Sequence, residues 1–166
     1  EELSGLISVI SPRLNTAERL QLATGIDLLR ANLLIAKKDY RGAVVQLQRA
    51  ITAQPMGAAS EQGVQQHIQA CVLLGSCHQA LERADLAAAA FEKAAQLQPA
   101  SPRHWLAAAA AQEATGRFDL ALRCYQQAAR HDRTPASWLG VARLRFREQM
   151  RVSKQNRNWN LVEKAL

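Results

Sequence analysis

The side chains able to do chemistry are few and scattered. There are four histidines, His67, His78, His104 and His131, and three cysteines, Cys71, Cys77 and Cys124. A zinc site draws on Cys or His ligands at short fixed spacings, commonly with a CxxC. No CxxC is present, and the adjacent Cys77 and His78 point to different helix faces. The odd cysteine count, with every thiol set among apolar residues of a helical pattern, predicts buried reduced thiols and a reducing, cytoplasmic setting. No phosphate-cradling GxGxxG or GxxxxGK[ST] and no GxSxG occurs. Glu113 and Asp119 are close in sequence, but each reads as a lone carboxylate that caps or solvates a helix turn. The expectation is therefore no catalytic residue, no metal and no cofactor: not an enzyme.

Charge is the second chemical signal. Residues 1–100 carry nine basic and nine acidic side chains, and residues 101–166 carry twelve and five, so the whole +7 excess lies in the last part of the chain. Its densest run is Arg143, Arg145, Arg147, Arg151, Lys154 and Arg157, opposed only by Glu148 and interleaved with Phe146 and Trp159. Arginines beside aromatics bind phosphates and stack bases. Arg147, Arg151, Lys154 and Arg157 are thus the candidates for anion binding, and nucleic acid is the alternative partner. The plainer reading is a solvated last helix and linker, because Arg143 and Arg147 share a helix face while Arg145 lies on another.

The elements that position these residues are helical. Alanine, leucine, glutamine and arginine dominate, all good helix formers. No apolar run approaches the ~18 residues of a membrane span, and the opening EELSGLISVI has no basic segment of the kind that begins a signal peptide. The stretch LGSCHQALERADLAAAAFEKAAQLQP, residues 74–99, organises the rest. Its Ala80, Ala87, Phe91 and Ala94 return as Ala114, Ala121, Tyr125 and Ala128, each 34 residues on. The same template lies 44 residues upstream, where Ala43, Leu47, Ala50 and Pro55 precede Ala87, Phe91, Ala94 and Pro99, so ten extra residues must sit between. Small residues let two helices approach, and Leu47, Phe91, Tyr125, Tyr40 and Phe118 fill the gaps that alanine leaves. The pattern predicts helices from a cap at Asn15 or Thr16 to about Lys38, then, after a turn at Lys38–Tyr40, one carrying Ala43, Leu47, Ala50 and Ile51 that ends before Pro55, then near 62–81, 85–97, 102–115 and 119–131, with a further helix from Pro135. Ser101 is the expected cap before Pro102. Trp138 echoes Trp105, 33 residues back, but the template fails near Gln149 and resumes only at Asn160.

A 34-residue period of paired helices resembles the tetratricopeptide repeat (TPR), with the likeness covering about residues 24–145. The resemblance implies an all-α, right-handed α-solenoid of antiparallel helix pairs with three to four repeats. One domain over 1–166 is expected: an N-terminal helix over 1–14, repeats over 16–55, 68–101 and 102–134, an insertion over 56–67, and an irregular fourth repeat over 135–166. It further implies a scaffold or adaptor, a segment of a longer protein, that binds a protein or peptide in a concave groove lined by the first helix of each pair. By that register the groove residues are Leu28, Asn32 and Ile35; Gln69, Val72, Ser76 and Gln79; Arg103, Leu106 and Glu113; and Arg143 and Phe146, with Leu139 on the same face. One TPR subfamily clamps chaperone C-terminal carboxylates with Lys, Asn, Asn, Lys and Arg; here those places hold Leu28, Asn32, Leu73, Arg103 and Ala107, so that clamp is mostly absent.

Overall fold

The computed structural model describes residues 15–53, 60–132, 134–152 and 154–164. The described residues form helices and turns with no strand. The helices are α1 (Thr16–Ala36), α2 (Tyr40–Ala53), α3 (Glu61–Ala80), α4 (Ala84–Leu97), α5 (Pro102–Ala114), α6 (Phe118–His131), α7 (Pro135–Arg151) and the short α8 (Asn160–Glu163), the last preceded by a 3-10 turn at Lys154–Asn156. The helix expected before residue 14 lies outside the described residues, as does the start of the expected insertion. From Glu61 that insertion is already part of α3. No described helix is long and apolar enough to cross a membrane.

Two compact units are distinguished, Glu1–Cys77 and His78–Leu166, with the division in the last turn of α3. In the first, α1 packs on α2. In the second, α4, α5, α6, α7 and α8 each pack on the next.

One turn is built three times. Lys38, Glu82 and Gly116 have left-handed backbones, with φ of 61°, 58° and 76°. Their amides reach back three residues, to the carbonyls of Ile35, Gln79 and Glu113. The following amides, of Asp39, Arg83 and Arg117, reach back five, to Leu34, His78 and Gln112, at 2.8–3.0 Å. This is the Schellman closure, which satisfies helix-end carbonyls and reverses the chain within three residues. Asp39, Arg83 and Arg117 then accept the first amide bond of the next helix through their carbonyls, from Ala43, Ala87 and Ala121. Short reversals of this kind make neighbouring helices antiparallel.

Starts are more varied. Asn15 makes a full capping box: its Oδ1 accepts from the Glu18 amide at 2.9 Å, and Glu18 Oε2 accepts from the Asn15 amide at 2.8 Å. Ser101 does stand at the cap of α5, but its side chain makes no capping bond, so Pro102 alone sets the entry.

The repeated alanines are core residues. Ala43 and Ala50, Ala87 and Ala94, and Ala121 and Ala128 are all 0–1% exposed. Leu47, Phe91 and Tyr125 are buried beside them. Tyr40 and Phe118 stay half-buried, because they sit at the first position of α2 and α6, where the pair is still open. Beyond α7 the chain is tied back by Gln149, whose Oε1 accepts from the Asn158 amide at 2.6 Å.

Candidate functional site

In the first unit, α1 and α3 enclose a cleft of about 620 Å³. Gly25 faces the end of Gln66, where a Cβ would stand 3.4 Å from Nε2, an ordinary contact distance. The floor is apolar, with Leu22, Ile26 and Leu28, and the rim carries the amides of Asn32, Gln62, Gln66 and Gln69. One carboxylate, Glu18, borders it and is already held in the Asn15 capping box. A neutral, amide-rimmed cleft of this kind matches the donors and acceptors of a peptide backbone more closely than a charged ligand.

In the second unit a smaller cleft of about 290 Å³ is lined by Leu106 of α5, Tyr125 of α6, and Ala136, Leu139, Gly140 and Arg143 of α7. Its polar edge is a network. The Tyr125 hydroxyl donates to Glu113 Oε2 at 2.8 Å, and Arg143 pairs with the same carboxylate oxygen. Burial pushes the Tyr125 phenol up to about 12, helped by the Glu113 hydrogen bond and charge and opposed by Arg143. The ring lies against Gly140, where a Cβ would stand 2.7 Å from Tyr125 Cγ and closer still to Cδ1.

Of the groove residues expected from the sequence, Leu28, Asn32 and Gln69 meet in the first cleft, and Leu106 and Arg143 meet in the second. Glu113 joins the second through Arg143. Ile35, Val72, Ser76, Gln79 and Arg103 line neither cleft. The Ser76 hydroxyl bonds its own helix at Val72 O, 3.1 Å away, and Phe146 turns to Trp159, ring centroids 5.6 Å apart. The Glu113–Tyr125–Arg143 network was not anticipated; Glu113 is no lone carboxylate. One signal for it was in the repeat. Tyr125 stands where Phe91 stands in the preceding repeat, and a buried tyrosine needs an acceptor that phenylalanine does not.

The anion-binding candidates are partly engaged. The Arg147 guanidinium lies 3.8 Å from the Phe118 ring centroid and that of Arg151 5.7 Å from it. Arg157 Nε donates to Val152 O at 3.3 Å, and Lys154 is exposed. The thiols are buried and unbridged. Burial raises Cys77, and burial with the Glu92 charge raises Cys124 to about 11, so neither is a reactive thiolate near neutral pH. Burial, with the nearby Arg83 and Arg103 charges, lowers His78 and His104 respectively and keeps them neutral. Among the described residues no cluster of His, Cys, Asp and Glu could hold a metal ion.

Comparison with known proteins agrees with this architecture. Residues 68–101 match the family model described as tetratricopeptide repeat. No curated protein matches the chain. Among solved structures, the C-terminal TPR-containing domain of a Plasmodium falciparum putative FK506-binding protein is similar at 14% identity and a TM-score of 0.65, over 81% of this chain and 96% of that one. Residues 41 to the end of MamA from Desulfovibrio magneticus are 14% identical with a TM-score of 0.61, over 98% and 86%. The second TPR domain of human RPAP3, solved with an HSP70 peptide, is 12% identical with a TM-score of 0.58, over 77% and 97%. With its 34-residue period, its thrice-built turn and these matches, the chain carries a tetratricopeptide repeat over residues 68–101 within a fold similar to that of tetratricopeptide-repeat domains.

Proposed function

We propose that the chain is a non-catalytic protein-interaction module, a scaffold or adaptor that takes peptide segments against the faces of its first helices. The observation carrying this reading is that both clefts lie on such helices: α1 with α3 in one unit, α5 with α7 in the other. Each combines an apolar floor with a few hydrogen-bonding side chains, the composition that orients a bound chain without chemistry. The peptide held by the RPAP3 domain, a similar fold, supports it. Nucleic-acid binding gains no such support, since Phe146 and Trp159 stack on each other and Arg147 rests on Phe118.

The test is selection of peptides from a displayed random library, followed by titration against two variants. Asn32→Arg with Gln69→Arg blocks the first cleft, and Leu106→Glu with Arg143→Glu disrupts the second. Selected peptides should lose binding to one variant or the other while helicity is kept. Peptides that bind both variants as they bind the wild type would place recognition elsewhere and refute the reading.

A further inference from the structure

Helix α7 has a second working face. Leu139, Arg143 and Phe146 belong to one stripe, whereas Trp138, Val141 and Arg145, at i, i+3 and i+7, form another. The second stripe opens on a separate cleft of about 490 Å³ between α6, α7 and α8, walled also by Arg130, Leu161 and Lys164.

In the preceding pair the matching positions are filled. Ala108 and Gln112, 33 residues before Val141 and Arg145, are 0% and 2% exposed, and Gln112 donates to Glu92 of α4 at 2.6 Å, whereas Val141 is buried but Arg145 is only half-buried. Beyond α7 the cleft is bordered by the four-residue α8, which packs on α7. Trp105 donates its indole N–H to Pro99 O at 2.9 Å, whereas Trp138, its counterpart, makes no such bond among the described residues.

The charge of the cleft is one-sided. Three cations line it and no carboxylate does. Arg145 has Glu148 beside it at 2.9 Å, but Arg130 and Lys164 have no ion pair among the described residues. An apolar floor of Trp138, Val141 and Leu161 ringed by cations is the complement of an amphipathic helix with acidic flanks.

We infer that this cleft seats an acidic amphipathic helix from a partner protein, apolar residues against Trp138 and Leu161 and carboxylates against Arg130, Arg145 and Lys164. A helix fits because the walls are helices and the cations stand around an apolar floor. This surface is distinct from the two clefts above and stands whether or not they bind peptide.

The probe is a fluorescent, ~15-residue helical peptide with leucines at i, i+4 and i+7 flanked by glutamates, titrated against the full chain by anisotropy. Its lysine-for-glutamate counterpart is the control. The glutamate peptide should bind and the lysine peptide should not. Arg130→Gln with Lys164→Gln, both exposed positions, should weaken binding about 2- to 30-fold, the range for two surface ion pairs. Trp138→Phe should remove any binding-induced change in tryptophan emission, and Leu139→Glu, on the other stripe, should leave affinity unchanged. Equal binding of both peptides, no effect of the double variant, or loss in Leu139→Glu alone would overturn the assignment. So would displacement of the peptide by a single-stranded oligoribonucleotide that itself loses affinity in the double variant.

Discussion

The left-handed turn residues can be exchanged to test the fold's punctuation. Lys38 and Glu82 are side-chain-bearing residues at positive φ, and Gly116 occupies the same place in the third turn. An L-residue in the left-handed region costs about 1–2 kcal/mol. Glycine there avoids the strain but loses about 0.5–1 kcal/mol more conformational entropy on folding. The difference leaves Glu82→Gly stabilising by about 0.5–1 kcal/mol. Glu82 is exposed and its side chain makes no ion pair among the described residues, so no contact is lost. Gly116→Ala should destabilise by the same amount, since a Cβ there meets nothing within 4 Å and only backbone strain is added. Both positions lie in the unit His78–Leu166, and for a unit of that size the change corresponds to roughly 2–6 °C in Tm, upward for Glu82→Gly and downward for Gly116→Ala. The double variant should melt near the wild type. Thermal unfolding followed by circular dichroism reads all three. If both single variants melt lower, or neither moves, the three turns are not equivalent Schellman closures and the reasoning fails.

Other outcomes follow from the packing. Gly140→Ala should cost about 1–3 kcal/mol in denaturant unfolding, because the added methyl meets the rigid Tyr125 ring. Ala87→Leu or Ala121→Leu should cost a similar ~1–3 kcal/mol, since each alanine is fully buried; unchanged melting for both would break the register. Tyr125 titrates near 12 in the folded chain against an ordinary 10, so below pH 10 its contribution is fully present, and stability should fall as pH rises from about 10 to 12. Tyr125→Phe should flatten that part of the profile relative to wild type. Cys124, raised to about 11, should react with a thiol reagent near neutral pH only after unfolding, and rapid labelling of the native chain at Cys124 would contradict its burial.

Much of the fold was legible because it depends on local spacing. The repeated small residues that mark each helix pair are the residues buried in it, and Asn15, Pro102 and Pro135 mark helix starts through chemistry confined to one turn. Less visible was the backbone at Lys38 and Glu82. Neither residue type announces a left-handed conformation; only the closure of two packed helices holds it there.

The sites divide in the same way. The register implied by the family resemblance put Leu28 and Asn32 on one face of α1, and Leu139 and Arg143 on one face of α7, and a face is a property of one helix. Which faces enclose space is a property of two or three helices. That is why Gln69 meets Leu28 across the α1/α3 cleft while Ser76, seven residues on along the same helix, closes on its own backbone. It is also why Glu113, unremarkable in the sequence, becomes the shared acceptor of Tyr125 and Arg143, residues 12 and 30 positions away. Charge balance gave the location of the basic excess, but packing decided its use: Arg147 covers Phe118, Arg143 pairs with Glu113, and Arg130, Arg145 and Lys164 converge on one cleft. Spacing along a chain sets which residues a helix presents together, and only the packing of helices sets what they are presented to.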